Sequence, residues 1–266
     1  MRDVTVFLCP KCGSGRALSA HMIDTRVRCL VCGASSVARG NLYGDRDWER
    51  VSNFYTLVKI ATSLRCIPTA RQWRLLACAI GRSAFDWCRN PWFRDALQAA
   101  ERWADEGQPP RGAPQCLGQL ERMEGAAHLD LRPPNWYGSE AEFTFQQQQE
   151  REQFGWIALA RRAVSDDPRL YQSDITDGNR PLATAFFREL VPNPFRAHTW
   201  NPNWSVSTTC ELARHIYADR NFPVMPILAD ALQDAGCEDA YVLDHCRANR
   251  VHARGCWVLD ALLGKS

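Results

Sequence analysis

The sequence predicts a mainly α protein, a multi-helical body preceded by a small β ribbon at its amino end. Three observations carry that reading. Two Cys-x-x-Cys pairs, Cys9 and Cys12 in CPKCG and Cys29 and Cys32 in CLVCG, stand sixteen residues apart near the start. From about residue 46 onward, apolar residues recur at spacings of three and four, the period of a helix with one buried face. Prolines at the starts of these stretches and glycines at their ends punctuate the same pattern.

The ribbon comes first. Two residues between cysteines let both thiolates reach one ion at about 2.3 Å, and the separation of the pairs is that of a structural zinc site. Cys9, Cys12, Cys29 and Cys32 are therefore the expected zinc ligands, with paired disulfides or inert thiols as the alternative. Gly13 and Gly33 follow the pairs and leave room for backbone N–H groups to turn toward the sulfurs. Val4 to Leu8 and Val27 to Leu30 supply apolar and β-branched residues for two short hairpins, so residues 1–40 are expected to form one zinc ribbon. Six basic residues in this segment face two acidic ones, a net charge of +4. Four thiolates and one Zn²⁺ subtract two charges, so much of the basic excess balances the metal site.

Beyond the connector, residues 46–65 place Trp48, Val51, Tyr55, Val58 and Thr62 on one helical face. Residues 70–88 continue with Trp73, Leu76, Ala77, Ile80, Ala84 and Trp87, and residues 91–106 form a third helix between Pro91 and Gly107. The middle is less legible: Gly107 to Pro114 reads as a break, Ser139 to Ala163 as helix-compatible, and Asp166 to Arg180 as a polar, turn-rich loop. Residues 46–175 are thus expected to be a helical region with polar breaks, and 176–266 a carboxy-terminal helical module. There PLATAFFRELV ends before Pro192 and Pro194, Thr208 or Thr209 can cap ELARHIYADR, Pro226 can open PILADALQDA, Asp239 can cap AYVLDHC, and WVLDALL stops at Gly264.

A second group of metal-ligating residue types lies in GCEDAYVLDHCRANRVHARGCW, where Cys237, His245, Cys246, His252 and Cys256 fall within twenty residues. Cys237, Cys246, His252 and Cys256 sit at successive helix ends and make a chemically reasonable Cys₃His set for a second zinc ion. The alternative is that these are buried core thiols with His252 bonded to backbone. His245 and Cys246 are neighbours in sequence and point about 100° apart on a helix, so they do not form a nucleophile and base.

Composition narrows the rest. A net charge of +2 excludes a strongly basic polyanion binder, and ten tryptophans read chiefly as packing. No apolar stretch is long enough for a signal sequence or membrane span, so a cytoplasmic protein with no membrane partner is expected, and there paired cysteines favour metal over disulfides. Cys66, Cys78, Cys88, Cys116 and Cys210 are read as small core hydrophobes.

Within residues 181–266, NPFR, LARHIYADRNF, MPILADALQDAGC, the HCR…H…RGCW run and the closing LLGK together resemble the carboxy-terminal module of an uncharacterised bacterial family abundant in planctomycete-type genomes. RQWRLLACAIGR at 71–82 and ALQAAERWADEG at 96–107 are similar to that family's earlier helical segment. The resemblance implies an architecture and no reaction. Relatives carry a glycine- and proline-rich loop after HCR, where this chain has Ala248 to Val251 at the same length.

Three functions follow as expectations. The first is a zinc-binding, non-enzymatic protein that meets another protein through the ribbon or the helical body. The second is a nucleic-acid binder in which Lys11, Arg16, Arg26 and Arg28 contact phosphates. The third is a metal- or thiol-dependent enzyme at the carboxy-terminal cysteines and histidines, which needs an open coordination position or a paired base.

Overall fold

The computed structural model describes residues 4–265 apart from 20–21, 24, 39–41, 84–90, 128–155, 172–173 and 197–198. It is mainly α, with a small β region at the amino end. The chain divides into two compact units. The first comprises Met1–Ile67, Phe187–His252 and Cys256–Lys265, and the second Pro68–Phe186 and Ala253–Gly255, with Ser266. The division cuts across the boundaries expected from sequence: residues 46–67 go with the ribbon and the carboxy-terminal helices.

In the first unit, β1 (Val4–Leu8) pairs antiparallel with β2 (Gly15–Ser19), and β3 (Arg26–Arg28) pairs with β4 (Ser35–Val37). A short β5 (Leu42–Tyr43) adds to the other edge of β1. Both hairpins turn through a Cys-x-x-Cys pair in the same way. The N–H of Gly13 donates to the carbonyl of Cys9 at 2.7 Å, and that of Gly33 to Cys29 at 3.0 Å. Both glycines take positive φ, +68° and +70°, which a side chain would resist. Phe7, Leu18, Val27 and Ala38 form a small core beside the buried Cys9 and Cys29.

The helix expected over 46–65 is two helices, α1 (Asp45–Arg50) and α2 (Phe54–Ser63). Asn53 is the cause. Its Oδ1 accepts the N–H of Thr56 at 3.1 Å, capping a new helix whose phase is shifted. Trp48, Phe54, Leu57, Ile60 and Ala61 are buried instead of Val51, Tyr55, Val58 and Thr62.

The second unit holds α3 (Ala70–Arg82), α4 (Pro91–Glu106), α5 (Ala113–Ala127) and a helical stretch at 156–163, α6. Thr69 and Gln72 form a reciprocal capping box at the start of α3. Gly107, at φ +74°, ends α4 as expected. Ala84, Trp87 and Cys88 lie outside the described residues, as does most of 139–163. α3 and α4 pack closely: a Cβ on Gly81 would stand 2.9 Å from Leu97, and Arg82 pairs with the buried Glu101 through Nε at 2.5 Å and Nη2 at 2.6 Å. The loop read as merely polar is pinned, because buried Asp174 accepts the Tyr171 N–H at 2.7 Å and sits 3.4 Å from Arg162.

α7 (Arg180–Leu190) carries the division between units, and its last turn belongs to the first. There Phe187 meets the rings of Trp48 and Phe54, and Arg188 donates to the carbonyls of Trp48 at 2.6 Å and Val51 at 2.5 Å, closing the carboxy end of α1. Asn193 and Arg196 of the NPFR segment both bind Asp45, at 2.7 and 2.8 Å. Then come α8 (Ser207–Asp219), α9 (Met225–Asp234), α10 (Ala240–Arg247) and α11 (Trp257–Leu263), around a core of Ala213, Ile216, Leu228, Leu232, Val242 and Leu259. Asp239 caps α10, accepting from the N–H of Tyr241 at 2.9 Å. Thr209 is no cap: α8 starts at Ser207, and the buried Thr209 hydroxyl donates to the Trp204 carbonyl at 2.7 Å. Among the described residues, no helix is long and apolar enough to cross a membrane.

Candidate metal centres

Two groups of side chains among the described residues bring four ligand atoms within 4.8 Å of one another. The first is Cys9, Cys12, Cys29 and Cys32. Cys9 and Cys32 sulfurs stand 3.8 Å apart, and Cys12 and Cys29 sulfurs 3.6 Å. A tetrahedron with metal–sulfur bonds of about 2.3 Å has edges of about 3.8 Å, whereas a disulfide needs about 2.05 Å. All four are free thiols. The set therefore fits one ion and does not fit disulfides.

Polar groups around the sulfurs favour thiolates. The Cys32 N–H, the Ser14 hydroxyl (3.0 Å) and the Val31 N–H (3.4 Å) pull the Cys29 thiol down to about 5. Ser14 also lowers Cys12. The Ala34 N–H works in the same direction at Cys32, yet burial and the three neighbouring sulfurs push that thiol up to about 11. Four thiols so close cannot all ionise unaided, and a cation removes the conflict. A further charge comes from α2, because a Cβ on Gly13 would run into the ammonium of Lys59. Sequence gave no reason to attach Lys59 to this site.

Lys11, Arg16, Arg26 and Arg28 are all exposed. Arg26 and Arg28 share the outer face of β3, with buried Val27 between them. The knuckle tips differ: the first presents Pro10 and Lys11, whereas the second presents Leu30 and Val31, 81% and 76% exposed.

The second group is Glu189, His245, His252 and Cys256. Of the set expected from sequence, the structure brings together His252 and Cys256 and replaces Cys237 and Cys246 by Glu189 and His245. The helix geometry of α10 explains the exchange. Adjacent positions point about 100° apart, so with His245 directed at the centre, Cys246 enters the apolar core beside Cys237. Burial, then the charge of Glu189, pushes the Cys246 thiol up to about 12, and burial raises Cys237.

Each member arrives from a different segment: Glu189 from the last turn of α7, His245 from the last turn of α10, His252 from the following loop, and Cys256 from the residue capping α11. His252 Nδ1 lies 2.8 Å from Glu189 Oε1, His245 Nε2 lies 3.4 Å from Oε2, and the same Nε2 is 3.3 Å from Cys256 Sγ. On the other side of its ring, His245 Nδ1 accepts the indole N–H of Trp257 at 3.2 Å and faces Arg250 at 3.4 Å. Trp257 in turn stacks on Tyr241, whose hydroxyl accepts the N–H of Asn193 at 2.7 Å.

A thiol, an imidazole and a carboxylate in sequence have the outline of a nucleophile with its base and orienting acid. Cys256 is nevertheless 0% exposed, and burial, then Glu189, raises its thiol well above the ordinary range. An attacking thiolate needs the opposite on both counts. Arg247 binds Asp230 and Gln233, and Arg250 also reaches Glu49 at 3.7 Å, so neither stands apart as an anion site. Glu189 escaped the sequence reading, although one signal was present. It is a carboxylate flanked in sequence by the apolar Phe186, Phe187, Leu190 and Val191, where burial demands a partner. Compared with protein-family models, with curated proteins and with solved structures, the chain matches none.

Proposed function

We propose that the chain is a zinc-binding, non-enzymatic interaction protein whose ribbon holds its second knuckle rigid for contact with another protein. The observation that carries this is the exposure of Leu30 and Val31 between two metal-ligating cysteines. Large apolar side chains held out on a cross-linked turn lose little entropy when they are covered. The tetrathiolate set has no open position for a substrate, which suits a structural ion. The resemblance of residues 181–266 to a bacterial family module belongs to the same proposal and adds an architecture for the body that bears the ribbon.

A photo-crosslinking residue placed at Leu30, compared with one at the exposed Ile227, tests the reading in the protein's own cells. A discrete protein adduct at Leu30, lost in Cys32→Ser and absent at Ile227, is the expected result. Equal, diffuse labelling at both positions overturns it.

A second reading, nucleic-acid binding, is favoured by Arg26 and Arg28 lying on one exposed strand face. Its phosphate contacts would be sequence-independent.

A further inference from the structure

Glu189 is 1% exposed, and its Oε2 is buried and makes no hydrogen bond. An orphaned carboxylate oxygen in a protein interior costs several kcal/mol unless a cation or donor meets it. The groups facing it are His245 Nε2, at 3.4 Å and too far for a good hydrogen bond, and the Cys256 thiol. Trp257 donates its indole N–H to His245 Nδ1 and Arg250 faces the same nitrogen, so the ring turns Nε2 toward Glu189 and Cys256.

We propose that Glu189, His245, His252 and Cys256 form a second, closed metal centre that takes zinc or a similar borderline divalent ion. Four observations support this. Mixed O, N, N and S ligands match the preference of such ions, and hard oxygen-seeking cations would not choose them. The spacings from His245 Nε2, 3.4 Å to Glu189 Oε2 and 3.3 Å to Cys256 Sγ, are close to the edges of about 3.3–3.6 Å in a tetrahedron with bonds of about 2.0–2.3 Å. Charge balances as well: one carboxylate, one thiolate and two neutral imidazoles offset a divalent ion completely, which full burial requires. Finally, all four ligands belong to the same compact unit.

Loading displaces a hydrogen at Cys256 and another at His245. The Cys256 thiol proton leaves to solvent as the metal–sulfur bond forms. At His245 the ion takes the place of the Nε2 hydrogen, which passes to Nδ1, and the Trp257 indole loses its acceptor there. Trp257 thus reports on a centre that it does not ligate.

This site is independent of the ribbon, so the test disables the ribbon and leaves the second centre unaltered. Zinc per chain is measured in purified full-length protein and in Cys9→Ser/Cys12→Ser, with two equivalents expected in the first and one in the second. Adding Glu189→Gln, which keeps the shape and removes the charge, should take the ribbon-disabled protein to none. In that ribbon-disabled background, one equivalent of zinc should also shift the ¹⁵N indole resonance of Trp257. A ribbon-disabled chain that retains no zinc, with an indole resonance that zinc leaves unmoved, overturns the second centre while leaving the ribbon reading intact.

Discussion

Arg196 grips Asp45 with two guanidinium nitrogens, Nε 2.8 Å from Oδ1 and Nη2 3.3 Å from Oδ2. The pair joins the segment after α7 to the first turn of α1, and Asn193 holds the same carboxylate. Its hydrogen bonds to Arg196, ahead of all other influences, lower the Asp45 carboxyl below the usual aspartate range. A depressed folded value adds stability above the unfolded value of about 3.9, and that stability disappears as pH falls through the folded one. Both side chains are nearly half exposed, so the contribution stays below about 1 kcal/mol. Arg196→Gln should therefore lower the urea midpoint slightly at pH 7, and the gap should narrow between pH 7 and pH 3, approaching the loss of the Tyr241 ring contact once the pH passes below the folded Asp45 value. A gap of equal size at both pH values would show that the ion pair contributes nothing.

The two knuckle glycines should not be equivalent. Both need positive φ, which costs a non-glycine residue about 1–2 kcal/mol. At Gly13 an added Cβ also displaces Lys59, whereas at Gly33 it meets only the Arg28 guanidinium at 3.7 Å. Gly13→Ala should consequently weaken zinc retention more than Gly33→Ala, as read by competition with a chelator. Equal losses would mean that Lys59 moves aside freely.

Between α3 and α4, Glu101→Ala strips the Arg82 guanidinium of a bidentate carboxylate in a largely buried place. Breaking a fully buried pair costs about 3–5 kcal/mol, and the partial exposure of Arg82 puts this one toward or below the lower end. Gly81→Ala should also destabilise, because crowding against the fully buried Leu97 outweighs the ~1 kcal/mol gained in helix propensity. Thermal unfolding of both variants checks this, and a stabilised Gly81→Ala would show that Leu97 repacks without penalty.

If the ribbon meets phosphates, Arg26→Ala/Arg28→Ala should weaken binding alike for unrelated sequences and flatten its salt dependence, by a log–log slope of up to about 2 on duplex DNA. Fluorescence anisotropy with single- and double-stranded DNA and RNA at low salt measures this. No binding by the unaltered chain would leave protein contact as the ribbon's role.

Local chemistry was legible in the sequence wherever one short segment held the whole signal. The ribbon is the clearest case, since both cysteine pairs, both turn glycines and the flanking strands are contiguous. Pro91, Gly107, Pro226 and Gly264 likewise mark helix ends by their own backbone preferences, and Asp239 does so by its capping carboxylate. Asn53 misled because its capping bond to Thr56 competes with helix continuation, and apolar period alone does not register that competition. The second centre was half legible. His252 and Cys256 stood out by residue type, but Glu189 lies far from them in sequence, and nothing local shows that its carboxylate points inward. Only the folded chain, which sets the last turn of α7 against His245 and His252, makes that visible.

Glu189 and His252 touch across 63 residues of chain. Everything between them, including α8, α9 and α10, is a closed loop as long as that contact holds. A loaded metal would turn the contact into a tether, and by the chain-entropy argument used for disulfides, closing a loop of this length removes about 4 kcal/mol of freedom from the unfolded chain. The amide hydrogens of these three helices should then exchange with solvent as one block, slowly and together with metal bound, and separately once it is stripped.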